Sequence, residues 1–396
     1  MVSSMEWKRY YSERAKALKA SEIRELLKMT QKPEIISFGG GLPSPDSYAV
    51  DQVKECIDYV METKAKKALQ YGTTEGYSRL REFLADYMKK KGYNAKPDDI
   101  LVTAGSQQGL DLVSKVFIDK DDTVITESPS YLGGLSAFRA YLAKIETIPL
   151  QDDGMNLDIL EERLKTGKKP KFIYVVSTFQ NPAGICMSTE KRKKIVEISL
   201  DYDVPIIEDN PYSELAFSGE PPKPILAYSK GNVLYLGTFS KTFSPGIRVA
   251  WVCGPTEIVR KLTIAKQSTD LCSNVLSQRT VYEYCHRGYL EENLKKLRKM
   301  YKRKRDIMLK AMEDYFPEGV KWTKPEGGLF LWVTLPEYID TKEMFEDAIK
   351  NNVAYVVGTA FAGGKNTMRL NFSYPSDEDI VEGIKRLAEV IKSRIK

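Results

Sequence analysis

The chain has 396 residues and 42% hydrophobic content, enough for a large core and for two or three domains rather than one. Its net charge of +6 is the small remainder of 60 Lys and Arg against 54 Asp and Glu spread along the chain, which describes a solvated surface rather than a nucleic-acid face. One histidine, His286, leaves Ser-His-Asp hydrolysis, Cys-His couples and multi-histidine metal sites without their parts; five scattered cysteines without a C-x-x-C pair point to free thiols, and no metal is expected.

From the amino terminus, MVSSMEWKRYYSERAK is charged where a signal peptide would be apolar. No run reaches the roughly 18 apolar residues of a membrane helix, so a soluble, cytoplasmic protein is expected. From about residue 100 short apolar runs alternate with helix-like segments, the pattern of a sheet built from strand-helix-strand units. The runs are ILVT (100–103), TVIT (123–126), FIYVV (172–176), VPIIE (204–208), VLYLG (233–237) and VAWVCG (249–254). Between them lie amphipathic stretches such as QQGLDLVSKVF and TEKRKKIVEISLDY, with apolar residues at helical spacing.

Past Asn274 a long helical pattern runs to about Tyr315, and its basic stretch KKLRKMYKRKR (295–305) reads as the wet side of that helix. GGLFLWVTL and MRLNFSY then read as strands of a separate element, closed by the helix SDEDIVEGIKRLAEVIKSRI. The expected organisation is an α/β chain: an amino-terminal segment (1–50), a large domain with a mainly parallel sheet (51–290) and a smaller α+β domain (291–396). Charged residues make up 29% of the sequence, Lys and Glu foremost, a balance that fits growth at high temperature.

In an open parallel sheet, ligands sit in the crevice at the carboxyl ends of the strands, so the residues just past each run carry the chemistry. After ILVT, Gly105 and Ser106 turn into a helix whose free N–H groups favour an anion such as phosphate, although such a turn is also a plain helix cap. Tyr131 comes after the next run, in ESPSYLG. Asn181 precedes a Pro-x-Gly turn in QNPAG, where it is either a donor to a ligand or a turn starter. Asp209 emerges from a nearly all-apolar strand, where a carboxylate needs a cation or a donor, and Tyr212 lies three residues on. After VLYLG comes TFSKTFSPGIR. Lys241, desolvated and near other cations, would have a lowered pKa and serve as nucleophile and proton shuttle, while Thr238, Ser240 and Arg248 suit a phosphate. A phosphate cradle, a stacking ring, a buried acid and a reactive lysine together describe pyridoxal phosphate, which uses a lysine Schiff base and an acidic partner for its ring nitrogen. Lys241 would carry the substrate's α-proton, so histidine is dispensable.

These residues, in this order, resemble the class I and II aminotransferases of fold type I. The resemblance rests on SFGGGLPSPDS, QYGTTEGYSRLR, TAGSQQGLDLV, ESPSYLG, QNPAG, EDNPY, TFSKTFSPGIR and MRLNFS. ASEIRELLK followed by ISFGGGLP and GSQQGLDL is most similar to the 2-aminoadipate/kynurenine aminotransferase group, which includes archaeal aromatic aminotransferases. The resemblance implies that Lys241 bonds covalently to pyridoxal 5'-phosphate, Asp209 pairs with its ring nitrogen, Asn181 and Tyr212 bond its phenolic oxygen and Tyr131 stacks on the ring. It further implies that Ser106, Gln107, Ser240 and Arg248 hold the phosphate, with Thr238 where many relatives have serine, and that Tyr71 reaches the phosphate of the other subunit in a homodimer. Arg369 would grip the substrate's α-carboxylate, Gly41 would let backbone approach the substrate, and Arg24 would contact its distal end.

The implied reaction is ping-pong transfer of the amino group of an aromatic, kynurenine-like or 2-aminoadipate-type amino acid to 2-oxoglutarate. A β-eliminating lyase would share Lys241, Asp209 and Arg369. The cofactor-binding domain of a transcriptional regulator would need a DNA-binding module ahead of SFGGGLP, which begins at Ser37 and is expected to leave no room for one.

Overall fold

The computed structural model describes residues 5–18 and 32–395; Arg24 lies outside the described residues. In chain order the strands are β1 (Ile36–Ser37), β2 (Ile100–Thr103), β3 (Thr123–Ser128), β4 (Lys144–Gln151), β5 (Gly154–Met155), β6 (Ile173–Val176) and β7 (Ile206–Asp209). They continue with β8 (Val233–Thr238), β9 (Ala250–Cys253), β10 (Lys321–Trp322), β11 (Phe330–Thr334), β12 (Val353–Ala354), β13 (Val356–Val357) and β14 (Thr367–Asn371).

The large sheet has eight strands in the order β2-β9-β8-β7-β6-β3-β4-β5. Its middle, from β8 through β7, β6 and β3 to β4, is parallel. The apolar runs form these strands because both faces are covered, so every residue along β2, β6, β7 and β8 is buried. Alternation still sorts their side chains. Leu101, Val124, Tyr174, Ile207, Leu236 and Val252 pack into one cluster, whereas their neighbours Val102, Ile125, Ile173, Ile206, Tyr235 and Cys253 pack into the other.

Two features depart from a simple strand-helix-strand reading. β9 runs antiparallel to both β8 and β2, because residues 239–249 hold only a short turn and a 3-10 segment, and a parallel return needs a longer crossover. β4 carries no apolar run: KIETIPLQ is largely exposed near the sheet edge, held by its register with β3. The single helical pattern expected past Asn274 is two helices, Val275–His286 and Tyr289–Tyr315, broken where Gly288 adopts φ +79°. Along the second, Lys295, Lys296, Lys299, Lys302 and Arg303 are exposed as expected, but Lys304 is buried, its amine donating to the Pro375 carbonyl.

A four-stranded antiparallel sheet, β10-β11-β14-β13, lies beyond that helix, which packs on the closing helix Asp377–Lys392. β1 pairs in parallel with β12, and the Asn371 N–H donates to the Phe38 carbonyl at 2.9 Å, so the segment after β1 is stitched to the far end of the chain. Among the described residues no helix is long and apolar enough to cross a membrane, and no group of His, Cys, Asp or Glu is arranged to hold a metal ion.

Gly237 on β8 faces its register partner Trp251 on β9, and a Cβ added there would stand 2.2 Å from the indole. Gly237→Ala is therefore expected to overpack the sheet and cost about 1–3 kcal/mol. A lower denaturation midpoint at unchanged slope is the expected readout; an unmoved midpoint contradicts this packing.

Candidate active site

The cradle forms at one edge of the large sheet. Thr103, Ala250 and Thr238 lie in register across β2, β9 and β8, so the turns after β2 and β8 share that edge. Gly105, with φ +85°, caps the helix Ser106–Phe117, whose first N–H groups and dipole present partial positive charge. The Arg248 guanidinium occupies the space a side chain at 105 would need: a Cβ there would stand 2.0 Å from Nη2. Arg248 itself is in the left-handed region (φ +56°), and its Nη2 and Nη1 donate to the carbonyls of Ala104 at 3.3 Å and Pro245 at 3.1 Å. Thr238 Oγ1 and Ser240 Oγ lie 3.0 Å apart, and the Ser240 N–H donates to Thr238 Oγ1. Among the described residues Ser106 Oγ is buried without a hydrogen-bond partner, while Gln107 donates to the Gly133 carbonyl at 2.9 Å. Such a set can hold a phosphate.

Deeper in the sheet, Asp209 ends β7 fully buried, and desolvation raises its carboxyl to about 7, with the neighbouring Glu208 charge adding to the effect and Tyr174 and Lys241 opposing it. The Tyr174 hydroxyl donates to Asp209 Oδ2 at 2.8 Å; Oδ1 is buried with no hydrogen-bond partner among the described residues. Lys241 comes after β8, and its amine falls to about 8, first through burial and then through the positive charges of Arg369 and Arg248. It donates to the Gly41 carbonyl at 3.1 Å. An amine so depressed is a base and a nucleophile near neutral pH.

Arg369 stands at the centre of β14, with its guanidinium 4.3 Å from the Phe330 ring centre and 5.0 Å from that of Phe361. Nη1 donates to Asn181 Oδ1 at 3.0 Å and Nη2 to the Gly39 carbonyl at 2.8 Å, whereas Nε is buried without a hydrogen-bond partner among the described residues. Burial lowers the group to about 10, so the cation is costly here unless an anion joins it. Asn181 in turn donates to the buried Tyr212 hydroxyl at 3.5 Å. Asn371 and Ser373 capture the carbonyls of Gly40 and Leu42, fixing the segment that carries Gly41; a Cβ at 41 would meet only ordinary contacts, 4.0 Å from Arg369 and Phe330. Tyr131 precedes the helix Leu132–Ala140 with its ring over Gly133, where a Cβ would come within 2.4 Å of it.

Lys241, Asp209, Asn181, Tyr212, Tyr131, Gly41 and Arg369 thus converge within one chain. Tyr71 does not: it is 78% exposed, and among the described residues no hydrogen bond joins its side chain to this cluster. Two supporting groups escape a reading of the sequence alone. Tyr174 lies inside FIYVV and shares the sheet face of Asp209. On the opposite face, buried Arg192 donates to Ser177 and Thr178 beside Glu208, and Glu127 accepts from the Val176 N–H at 3.1 Å and from Gln180, the residue before Asn181, at 3.0 Å. Strand alternation, applied to neighbouring runs, is the signal that could have found Tyr174 and Glu127; Arg192 sits on the helix Thr189–Asp201 and gives no such signal.

The model of the family "Aminotransferase class I and II" matches residues 33–387. Aromatic-amino-acid aminotransferase 1 of Thermococcus litoralis is 50% identical over 99% of this chain and 96% of its own. The 2-aminoadipate transaminase of Thermus thermophilus is 39% identical over 99% and 98%. Among solved structures, kynurenine aminotransferase from Pyrococcus horikoshii, in complex with PMP and with kynurenine as substrate, has a TM-score of 0.95 at 50% identity, covering 98% of each chain.

Burial also raises Glu127 to about 7. Glu127 and Asp209 both bind their protons more tightly folded than unfolded, so the stability they contribute is complete below about pH 4 and is lost as pH rises through about 7. The denaturation midpoint of the cofactor-free protein is expected to fall over that window, and Glu127→Gln to flatten the fall. An identical slope in the variant contradicts the assignment.

Proposed function

This chain belongs to the class I and II aminotransferases and is an aminotransferase, and we propose that it uses pyridoxal 5'-phosphate to move the amino group of an aromatic, kynurenine-like or 2-aminoadipate-type amino acid to 2-oxoglutarate by a ping-pong mechanism. The observation that carries the cofactor assignment is the pairing of a depressed amine, Lys241, with a buried carboxyl whose Oδ1 lacks any partner, close to a helix N-terminus where Ser106 Oγ also lacks one. The amine and the two unpartnered oxygens match the cofactor's aldehyde, ring nitrogen and phosphate in kind. Bound there, the cofactor supplies an electron sink that makes the substrate's α-proton acidic.

The chain's own residues do the rest. Ser106, Gln107, Thr238, Ser240 and Arg248 hold the phosphate, joined by Tyr71 from the second copy in a homodimer. Asp209 holds the ring nitrogen, Asn181 and Tyr212 the phenolic oxygen, and Tyr131 covers the ring face. Lys241 would be the attachment point, and its Nζ would hold and move the substrate's α-proton. Arg369 takes the α-carboxylate, its unpartnered Nε leaving a donor for it, and Asn181 beside it orients the same end. Gly41 lets backbone approach the substrate, and the distal-end role expected of Arg24 falls on a residue outside the described ones. In this division of labour residues 51–290 hold the cofactor, 291–396 form the smaller domain, and the segment 1–50 contributes to that domain and to the substrate site, in a cytoplasmic enzyme. Support for the donor class comes from the relatives named for aromatic amino acids, kynurenine and 2-aminoadipate.

Lys241→Ala is expected to retain cofactor binding but to lose turnover by about a thousandfold or more, as removal of both nucleophile and base requires. A donor panel with 2-oxoglutarate, scored by oxo-acid product on wild-type enzyme and variant, measures both points. Normal transamination by the variant contradicts the role of Lys241, and a panel in which aromatic, kynurenine-like and 2-aminoadipate donors are all inert contradicts the substrate class.

A further inference from the structure

Tyr174 is fully buried in a nest of Phe138, Phe172 and aliphatic side chains, with its ring edge-on to Phe138 at 5.1 Å. Phenylalanine would pack there equally well. A hydroxyl in such surroundings is costly unless it is bonded, and its partner is Asp209 Oδ2 at 2.8 Å. Register explains the meeting: Val176 pairs with Asp209 across β6 and β7, and Tyr174, two residues earlier, points to the same face. The helix above has a notch for the ring, because a Cβ on Gly134 would stand 2.9 Å from the tyrosine Cζ. Gly133 and Gly134 thus admit two tyrosines in succession, Tyr131 at the site and Tyr174 beneath it.

We propose that Tyr174 is a positioning residue for the reaction: its hydroxyl fixes one carboxylate oxygen of Asp209 and stabilises its anionic form, which leaves Oδ1 as the atom that faces the cofactor's ring nitrogen. This rests on the proposed cofactor and reaction. The other titratable groups around Asp209 are Glu208 beside it, Tyr235 on β8, Lys241 beyond β8, and Tyr131 and Tyr212 at the mouth. Among the described residues none of these hydrogen-bonds to the carboxylate, so loss of the Tyr174 hydroxyl would leave both oxygens without a donor.

The test is Tyr174→Phe in the cofactor-loaded enzyme. A single charge-assisted hydrogen bond predicts that kcat falls about tenfold or more, that KM for the amino donor stays within about twofold, and that the pH midpoint of the bound cofactor's visible band shifts by about half a unit or more. In an Asp209→Asn background the same change should add nothing. Gly134→Ala, which crowds the ring but keeps the hydroxyl, should reproduce the shifted midpoint and serves if Tyr174→Phe folds poorly. An unmoved kcat and midpoint in Tyr174→Phe, or an equal loss in both backgrounds, overturns the proposal while Asp209→Asn remains disabling. Full activity in Asp209→Asn alone overturns the functional reading instead.

Discussion

Desolvation of two opposite charges at neighbouring strand ends is the constraint on which this structure turns. Asp209 and Lys241 leave β7 and β8 into surroundings that disfavour the ionised form of each, one driven up to about 7 and the other down to about 8. In water they would be an ordinary carboxylate and ammonium. Here both are poised near neutrality, and the sheet supplies the rigidity that keeps them so. Neither group neutralises the other by direct contact: the lysine donates to the Gly41 carbonyl and the aspartate accepts from Tyr174. That separation leaves each free to meet a ligand.

The two faces of the sheet divide the supporting work. On the face of Asp209, Tyr174 reaches it through a close fit against Gly134. On the other, Glu208 accepts from Ser177 and from the N–H groups of Ile225 and Leu226, with Arg192 beside it. A buried arginine bonded this fully is costly to unpair, which ties β6 and β7 into a single plate. Arg369 comes from a different sheet, hydrogen-bonded to Asn181 and, at the amino-terminal segment, to the Gly39 and Gly40 carbonyls.

Much of this was legible because strand ends in a parallel sheet are read in order: GSQQ, QNPAG, EDNPY and TFSK come after apolar runs that formed buried strands where expected, and Arg369 alternates with Met368 and Leu370. β4 was not legible, since an edge strand held by register needs no apolar run. The reversal of β9 depends on the length of the connection rather than on the composition of the strand. Gly288 broke a helical pattern whose flanks both remain periodic. Tyr174 escaped for a subtler reason: inside an all-apolar run, a tyrosine reads as packing until the neighbouring strand's parity is laid beside it. The role proposed for Tyr71 depends on a second copy, and Arg24 falls outside the described residues.

The central claim is that one particular amine among the chain's many lysines is desolvated and placed for covalent capture of an aldehyde. The most direct measurement is borohydride reduction of the protein saturated with pyridoxal phosphate at neutral pH, followed by peptide mass mapping. The account predicts a stoichiometric label on the peptide that carries Lys241. A label on any other lysine, or an unlabelled Lys241 peptide at saturation, would contradict it.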